Sequence, residues 1–295
     1  MTFFIPSRLF LLMLKYNHTF VILAILLSIT VPCWAGKLLI PMDLAQRDHL
    51  KAYGIAYWTV NQGGKAEWLL NYRQGSFLLD GLEQIERLCR LRGVTCEPVD
   101  GSAAARIYTE IEQNNMEVVP LEKAPKIAVY APQGYDPWDD AVMLTLTYAE
   151  IPYSQIYDDE VLRGKLSEYD WLHLHHEDFT GQFGKFFSSY KNAAWYQEHK
   201  QRDEARARQW GFESVSELKK SVAREIKNYV VRGGFLFAMC SGTDSYDIAL
   251  AAEGVDIVDS PFDGDPPDPD AGRRLDFSKT MAFYNFRIVT DPSVY

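Results

Sequence analysis

Cysteine is scarce in this 295-residue chain: there are four, and Cys33 lies in an N-terminal stretch that processing would remove. The remaining Cys89, Cys96 and Cys240 are odd in number, so at least one thiol stays free and a fully cross-linked scaffold is excluded. Basic charge is scarce as well. Thirty Lys and Arg against forty Asp and Glu give a net charge of −10, a balance that argues against nucleic acid as a partner. The apolar stretch Phe20–Val31 covers only about 12 residues, whereas a membrane-spanning helix needs about 20. What the chain does have is 47% hydrophobic and 24% charged residues, enough to bury a core and too ordered a composition for a disordered segment.

Residues 1–35 have the organisation of a secretory signal peptide. Arg8 and Lys15 precede the apolar stretch, and CWAG follows it with Cys33 and Ala35 at the two small-residue positions that cleavage needs. An uncleaved anchor is the alternative; lipidation of Cys33 is disfavoured by Pro32 before it. The expectation is an exported protein, periplasmic or extracellular, with no membrane contact after processing. Losing Arg8 and Lys15 and no carboxylate takes the net charge from −10 to −12. Cys89 shares an apolar helical face with Leu82, Ile85 and Leu88, which reads as core packing, with a Cys89–Cys96 disulfide as the alternative.

Strand and helix patterns alternate along the rest. KLLIPMD (37–43), EWLLNY (67–72), VTCEPVD (94–100), KIAVYAP (126–132), SQIYD (154–158), YDWLHLHH (169–176) and FLFAMC (235–240) read as strands, and FRIVT (286–290) as a further one. Helices are expected at 49–62, 82–92, 138–149, 159–166 and 214–232, the last opening with the capping-box spelling SVSE. The polar interval 186–211 reads as an inserted, solvated helix. This alternation predicts an α/β fold, a three-layer sandwich with a mostly parallel sheet, preceded by an N-terminal α/β segment over 36–120. In such sheets ligands bind beyond the carboxyl ends of the strands.

Two strand ends carry candidate chemistry. In HLHHEDFTG (173–181), His173 and His175 share a strand face, and His176, Glu177 and Asp178 follow; these five offer ligands for a divalent metal. Polar strand-end packing, or orientation of a substrate, are the other readings. In GGFLFAMCSGTDSYDIALAA (233–252), Cys240 ends an apolar strand and a helix begins behind it. A helix N-terminus stabilises a thiolate, and the Ser241 and Gly242 amides are placed to donate to an oxyanion. An inert, tightly turned thiol is the alternative.

With these two stretches in place, the layout resembles the class I glutamine amidotransferase-like superfamily, including its ThuA-like members, over roughly residues 125–258. In that flavodoxin-like fold a strand opening with Tyr-Asp leads to an oxyanion loop, as EYDWLHLHHEDFTG (168–181) would, and the next core strand ends in the nucleophile elbow, as GGFLFAMCSGTD (233–244) would. The resemblance implies Cys240 as nucleophile, Ser241 and Gly242 as oxyanion donors, and His173, His175 and Glu177 completing the site. The sequence departs from it at Ala238, where the elbow has glycine, and at His-His-Glu-Asp, where the oxyanion strand has paired glycines. Both departures weaken glutamine itself as the substrate. The superfamily's base is a later histidine, and none follows His199; either the chain is truncated after Tyr295, or one of His173, His175 and His176 serves.

A second resemblance competes. SGTDS (241–245) is similar to the SGGxDS pyrophosphate loop of ATP pyrophosphatases, the adenylating module of asparagine synthetase B, and LLIPMDL, WLLNY and LHLHHEDFTG resemble exported bacterial chains carrying that label. Thr243 stands where that loop needs a glycine for backbone amides to approach phosphate. Elsewhere, Asp43, Asp48 and His49 follow the first strand, Trp138, Asp139 and Asp140 follow the fourth and suit a sugar, and DGDPPDPDAG (263–272) has a calcium loop's carboxylate density with prolines breaking its spacing. The resulting expectation is a cysteine-dependent hydrolase acting on a small amide or sugar-derived substrate, with no resident cofactor unless a divalent metal binds. A non-catalytic carbohydrate-binding module is the rival.

Overall fold

The computed structural model describes residues 36–132, 134, 140–182 and 184–294. The expected signal peptide, and Trp138 and Asp139, lie outside them. The described residues form two compact units, one from 36–48 together with 63–121, the other from 49–62 together with those after 121.

The first unit is a five-stranded sheet of β1 (Lys37–Ile40), β2 (Ala66–Leu70), β3 (Ser76–Asp80), β4 (Glu97–Val99) and β5 (Glu117–Leu121), in the order β4-β1-β3-β2-β5. Every neighbouring pair is antiparallel. This departs from the parallel sheet expected, because β2 and β3 are joined by a short turn that reverses the chain. Asn71, Arg73, Gln74 and Gly75 in that turn all take positive φ, and Arg73 is held there by Asp43 at 2.6 Å and Glu97 at 2.9 Å. The helix α2 (Glu83–Arg92) follows β3, and α3 (Gly101–Gln113) lays Ala104, Ile107 and Ile111 against Leu39, Leu69 and Leu78.

The second unit contains α1 (His49–Asn61) and a four-stranded parallel sheet of β6 (Ile127–Tyr130), β7 (Tyr153–Ile156), β8 (Trp171–Leu174) and β9 (Phe235–Ala238), ordered β7-β6-β8-β9. Its strand β6 is apolar and buried on both sides. Ala128, Tyr130, Leu172 and Leu174 pack with α8 (Val215–Val231) through Leu218, Val222, Ala223 and Ile226, and with α9 (Ser241–Ala251). Ile127 and Val129 pack instead with Met143 and Leu146 of α4 (Ala141–Ala149). Between β7 and β8 lies α5 (Asp158–Leu162).

The expected helix over 214–232 is α8, capped by Ser214 accepting the Glu217 N–H at 3.2 Å. The polar interval folds as α6 (Gly184–Tyr190) and α7 (Ala194–Gln209). Instead of being solvated all round, α7 buries Tyr196, Asp203 and Ala207. FRIVT forms no strand; Phe286 and Ile288 are packed against the cluster of Val255, Ile257, Val258 and Phe262, whose contacts replace strand pairing. The preceding segment is fixed to α9, where the buried Asp247 carboxylate accepts the N–H groups of Met281, Ala282 and Phe283 at 2.7, 2.8 and 2.7 Å. No helix among the described residues is long and apolar enough to cross a membrane.

Candidate functional site

The order β7-β6-β8-β9 means the chain adds a strand on one side of β6, then crosses to build on the other. Connections leaving β6 and β8 therefore diverge to opposite faces, and in open parallel sheets the carboxyl ends of two such strands are where ligands bind. Asp140, His175 and His176 belong to those connections.

Asp140 caps α4. One carboxylate oxygen accepts the N–H groups of Val142 and Met143 at 2.7 and 2.9 Å, and the other lies 2.6 Å from His175 Nδ1. Burial raises the Asp140 pKa, but the Met143 amide, the His175 ring and the Val142 amide outweigh it and hold the carboxyl below its usual range. An ionised carboxylate only accepts hydrogen bonds, so His175 Nδ1 carries the proton and Nε2 is the basic nitrogen. His176 Nδ1 lies 3.1 Å from His175 Nδ1. Ligand atoms of Asp140, His175 and His176 all fall within 4.8 Å of one another.

Cys240 is exposed and takes φ 51°, ψ −143°, a left-handed backbone that a non-glycine residue adopts only where surrounding contacts enforce it. Those contacts come from the histidine strand end: the Gly242 N–H donates to the His175 carbonyl at 2.8 Å and the Ser241 hydroxyl to the His176 carbonyl at 3.1 Å. A Cβ on Gly242 would stand 2.5 Å from the His175 oxygen, so only glycine allows this approach. Cys240 thus caps α9 at a sharp strand-to-helix turn. Of the two expected oxyanion donors, the Gly242 amide is already committed to His175. The Ser241 amide is the first N–H of α9, a position without an intrahelical acceptor. Residues 241–245 are the opening turns of α9 and not a free loop.

The other residues of the histidine run go elsewhere. His173 is fully buried; its Nδ1–H donates to the Phe237 carbonyl at 3.1 Å, its ring stacks on Phe237, and burial lowers its pKa. Asp178 accepts the Thr180 hydroxyl and the Thr180 and Gly181 amides at 2.6, 2.9 and 3.0 Å, closing a turn with both oxygens. Glu177 points inward at 7% exposure, with its carboxylate 3.9 Å from His176 Nε2. Burial pushes its pKa up to about 8; Lys219 opposes this, and Asp158, Asp203 and Asp140 add to it. Asp43, the other carboxylate after a first strand, is spent on Arg73 in the first unit.

Beneath the site lies a charged core that residue patterns in the sequence did not bring forward. Lys219, 2% exposed, donates to Asp158 at 2.9 and 3.0 Å, to the Tyr130 hydroxyl at 3.0 Å and to the Tyr157 hydroxyl at 2.9 Å. Asp203 pairs with Arg206 at 2.8 Å and lies 3.3 Å from His199 Nε2. The available signal was Lys219 itself, which sits in the apolar stripe of α8 between Leu218 and Val222. Asp140 had a weaker one, being a capping residue after an apolar strand. Comparison of the chain with protein-family models, curated proteins and solved structures finds no match.

Proposed function

We propose that the protein is an exported cysteine-dependent hydrolase of small amides, including sugar-derived ones, built on a three-layer, flavodoxin-like sandwich of the class I glutamine amidotransferase-like kind. The observation that carries the reading is the strained Cys240 turn pinned directly to a histidine strand end whose His175 is oriented by Asp140. The packing of α4 on one sheet face and α8 and α9 on the other supports the sandwich.

In this reading His175 Nε2 takes the Cys240 proton, and the sulfur adds to the amide carbonyl carbon. The Ser241 N–H donates to the oxyanion. Asp140 keeps the ring in the required tautomer and stabilises the imidazolium. Collapse breaks the C–N bond as His175 returns the proton to the departing amine, and water, deprotonated by His175, then hydrolyses the thioester. Glu177, held protonated by burial, adds no second negative charge beside His176.

The test uses a panel of small amides with the protein and its Cys240→Ala and His175→Ala variants, together with iodoacetamide labelling mapped by mass spectrometry. Loss of turnover in both variants and preferential labelling of Cys240 over Cys89 and Cys96 are expected. Full activity in Cys240→Ala ends the reading.

A second reading is favoured by the clustering of Asp140, His175 and His176 ligand atoms: one carboxylate and two imidazoles suit a zinc-class ion. It predicts stoichiometric metal after dialysis and activity independent of Cys240.

A further inference from the structure

Two thiols of the first unit, Cys89 and Cys96, take no part in the Cys240 chemistry, and the fold brings them together. Helix α2 ends at Gly93, whose φ of 72° reverses the chain, and the Val94 N–H donates back to the Cys89 carbonyl at 2.9 Å. Val94 is then buried, and the Thr95 N–H donates to the Gln46 side chain at 2.8 Å before Glu97 enters β4 opposite Leu39 of β1. This return places Cys96 against Cys89, and the two side chains share a hydrogen bond. The helix-to-strand turn that a Cys89–Cys96 bond requires is therefore already made.

The two sulfurs are unequal. Cys89 is fully buried, whereas Cys96 is only half-buried. The Cys89 S–H donates to the Cys96 sulfur; that bond draws the Cys96 pKa down against the effect of burial, and the same bond, together with burial, pushes Cys89 up. A reachable sulfur with thiolate character beside a buried thiol suits an attacking and a resolving cysteine. We propose that Cys89 and Cys96 are oxidised to a disulfide that ties α2 to the segment entering β4. The Cys96 thiolate attacks an external disulfide such as oxidised glutathione, and one glutathione thiolate leaves, taking up the Cys89 proton. The Cys89 sulfur then attacks the Cys96 sulfur, breaking the mixed disulfide and releasing the second glutathione. Two protein thiols lose two electrons, and one external disulfide is reduced to two thiols. Beyond residue 35 this leaves Cys240 as the free thiol. The pair shares no residue with the Cys240 site, so neither reading depends on the other.

The test uses the full chain carrying Cys33→Ser and Cys240→Ser, in which Cys89 and Cys96 are the only cysteines. After incubation with oxidised glutathione and digestion without reduction, mass spectrometry is expected to find the Cys89 and Cys96 peptides joined by one disulfide with no glutathione retained, and non-reducing electrophoresis to show the link within one chain. Adding Cys89→Ser should halt the reaction at a glutathione adduct on Cys96, and adding Cys96→Ser should leave Cys89 unmodified. The linked form should melt about 5 °C or more above its dithiothreitol-reduced form. Two unmodified thiols, a glutathione adduct that persists with Cys89 present, an adduct on Cys89 in the Cys96→Ser variant, or a linked form that melts no higher than the reduced one overturns the proposal, with circular dichroism confirming that each variant is folded before oxidation.

Discussion

Lys219 and Asp158 face each other in the core of the second unit with almost no water, and two tyrosine hydroxyls complete the ammonium's hydrogen bonds. Such a pair is expensive to desolvate but far more expensive to break. Lys219→Met is expected to destabilise the protein by about 3 kcal/mol or more, and Lys219→Met combined with Asp158→Asn by less than the single change, as read by urea denaturation. Glu177 gives a pH signature. With its pKa at about 8 in the fold and about 4.3 in an unfolded chain, the folded state holds a proton that the unfolded state has released throughout the window between them. Its contribution to stability therefore falls as pH rises from about 4.5 to 8 and is flat above. Glu177→Gln removes that titration, so the difference in melting temperature between variant and parent should shift in the variant's favour from pH 5 to pH 8. An unchanged difference refutes the buried, protonated carboxyl.

At the scale of elements, the helix caps and the strand ends set the site. Asp140→Ala removes a cap worth about 1 kcal/mol and also frees the His175 ring, so stability and turnover should both drop, whereas Asp140→Asn should keep much of the cap and lose the turnover. Gly242→Ala places a methyl against the His175 carbonyl and is expected to lower the melting temperature and slow Cys240 alkylation. The parallel core strands were legible because short, mostly apolar runs mark them: KIAVYAP, WLHL and FLFA all became strands. SFLLD and EVVPL form strands on weaker sequence signals. The first merges into the apolar start of the following helix, and the second carries Pro120, which an edge strand such as β5 accommodates. The residues after β8 and β9 could be singled out from their position alone. That Asp140 meets His175 could not, since the two are 35 residues apart and come together only through the placement of β6 beside β8.

For the whole molecule, chain order and spatial grouping disagree. The segment 49–62 lies between β1 and β2 in sequence yet belongs to the second unit, where α1 packs on α4 with Lys51 over the Tyr148 ring at 5.0 Å. A cut at residue 121 therefore does not release an intact second unit. Residues 122–295 expressed alone should melt at a lower temperature than the full chain and expose the α4 surface, seen as faster proteolysis within 141–149. Antiparallel pairing in the first unit was not written in hydrophobic period, because apolar runs look alike whichever way neighbouring strands run.

The three successive amides of Met281, Ala282 and Phe283 form a small anion receptor, and its guest is part of the same chain. Asp247 is a tether as much as a buried charge. It stands two turns along the helix whose first cap is Cys240, so the reactive sulfur and the anchored tail are mounted on one rigid rod. Neutralising the tether with Asp247→Asn would let the tail detach, and the looseness would travel along the helix to the turn that holds the thiol.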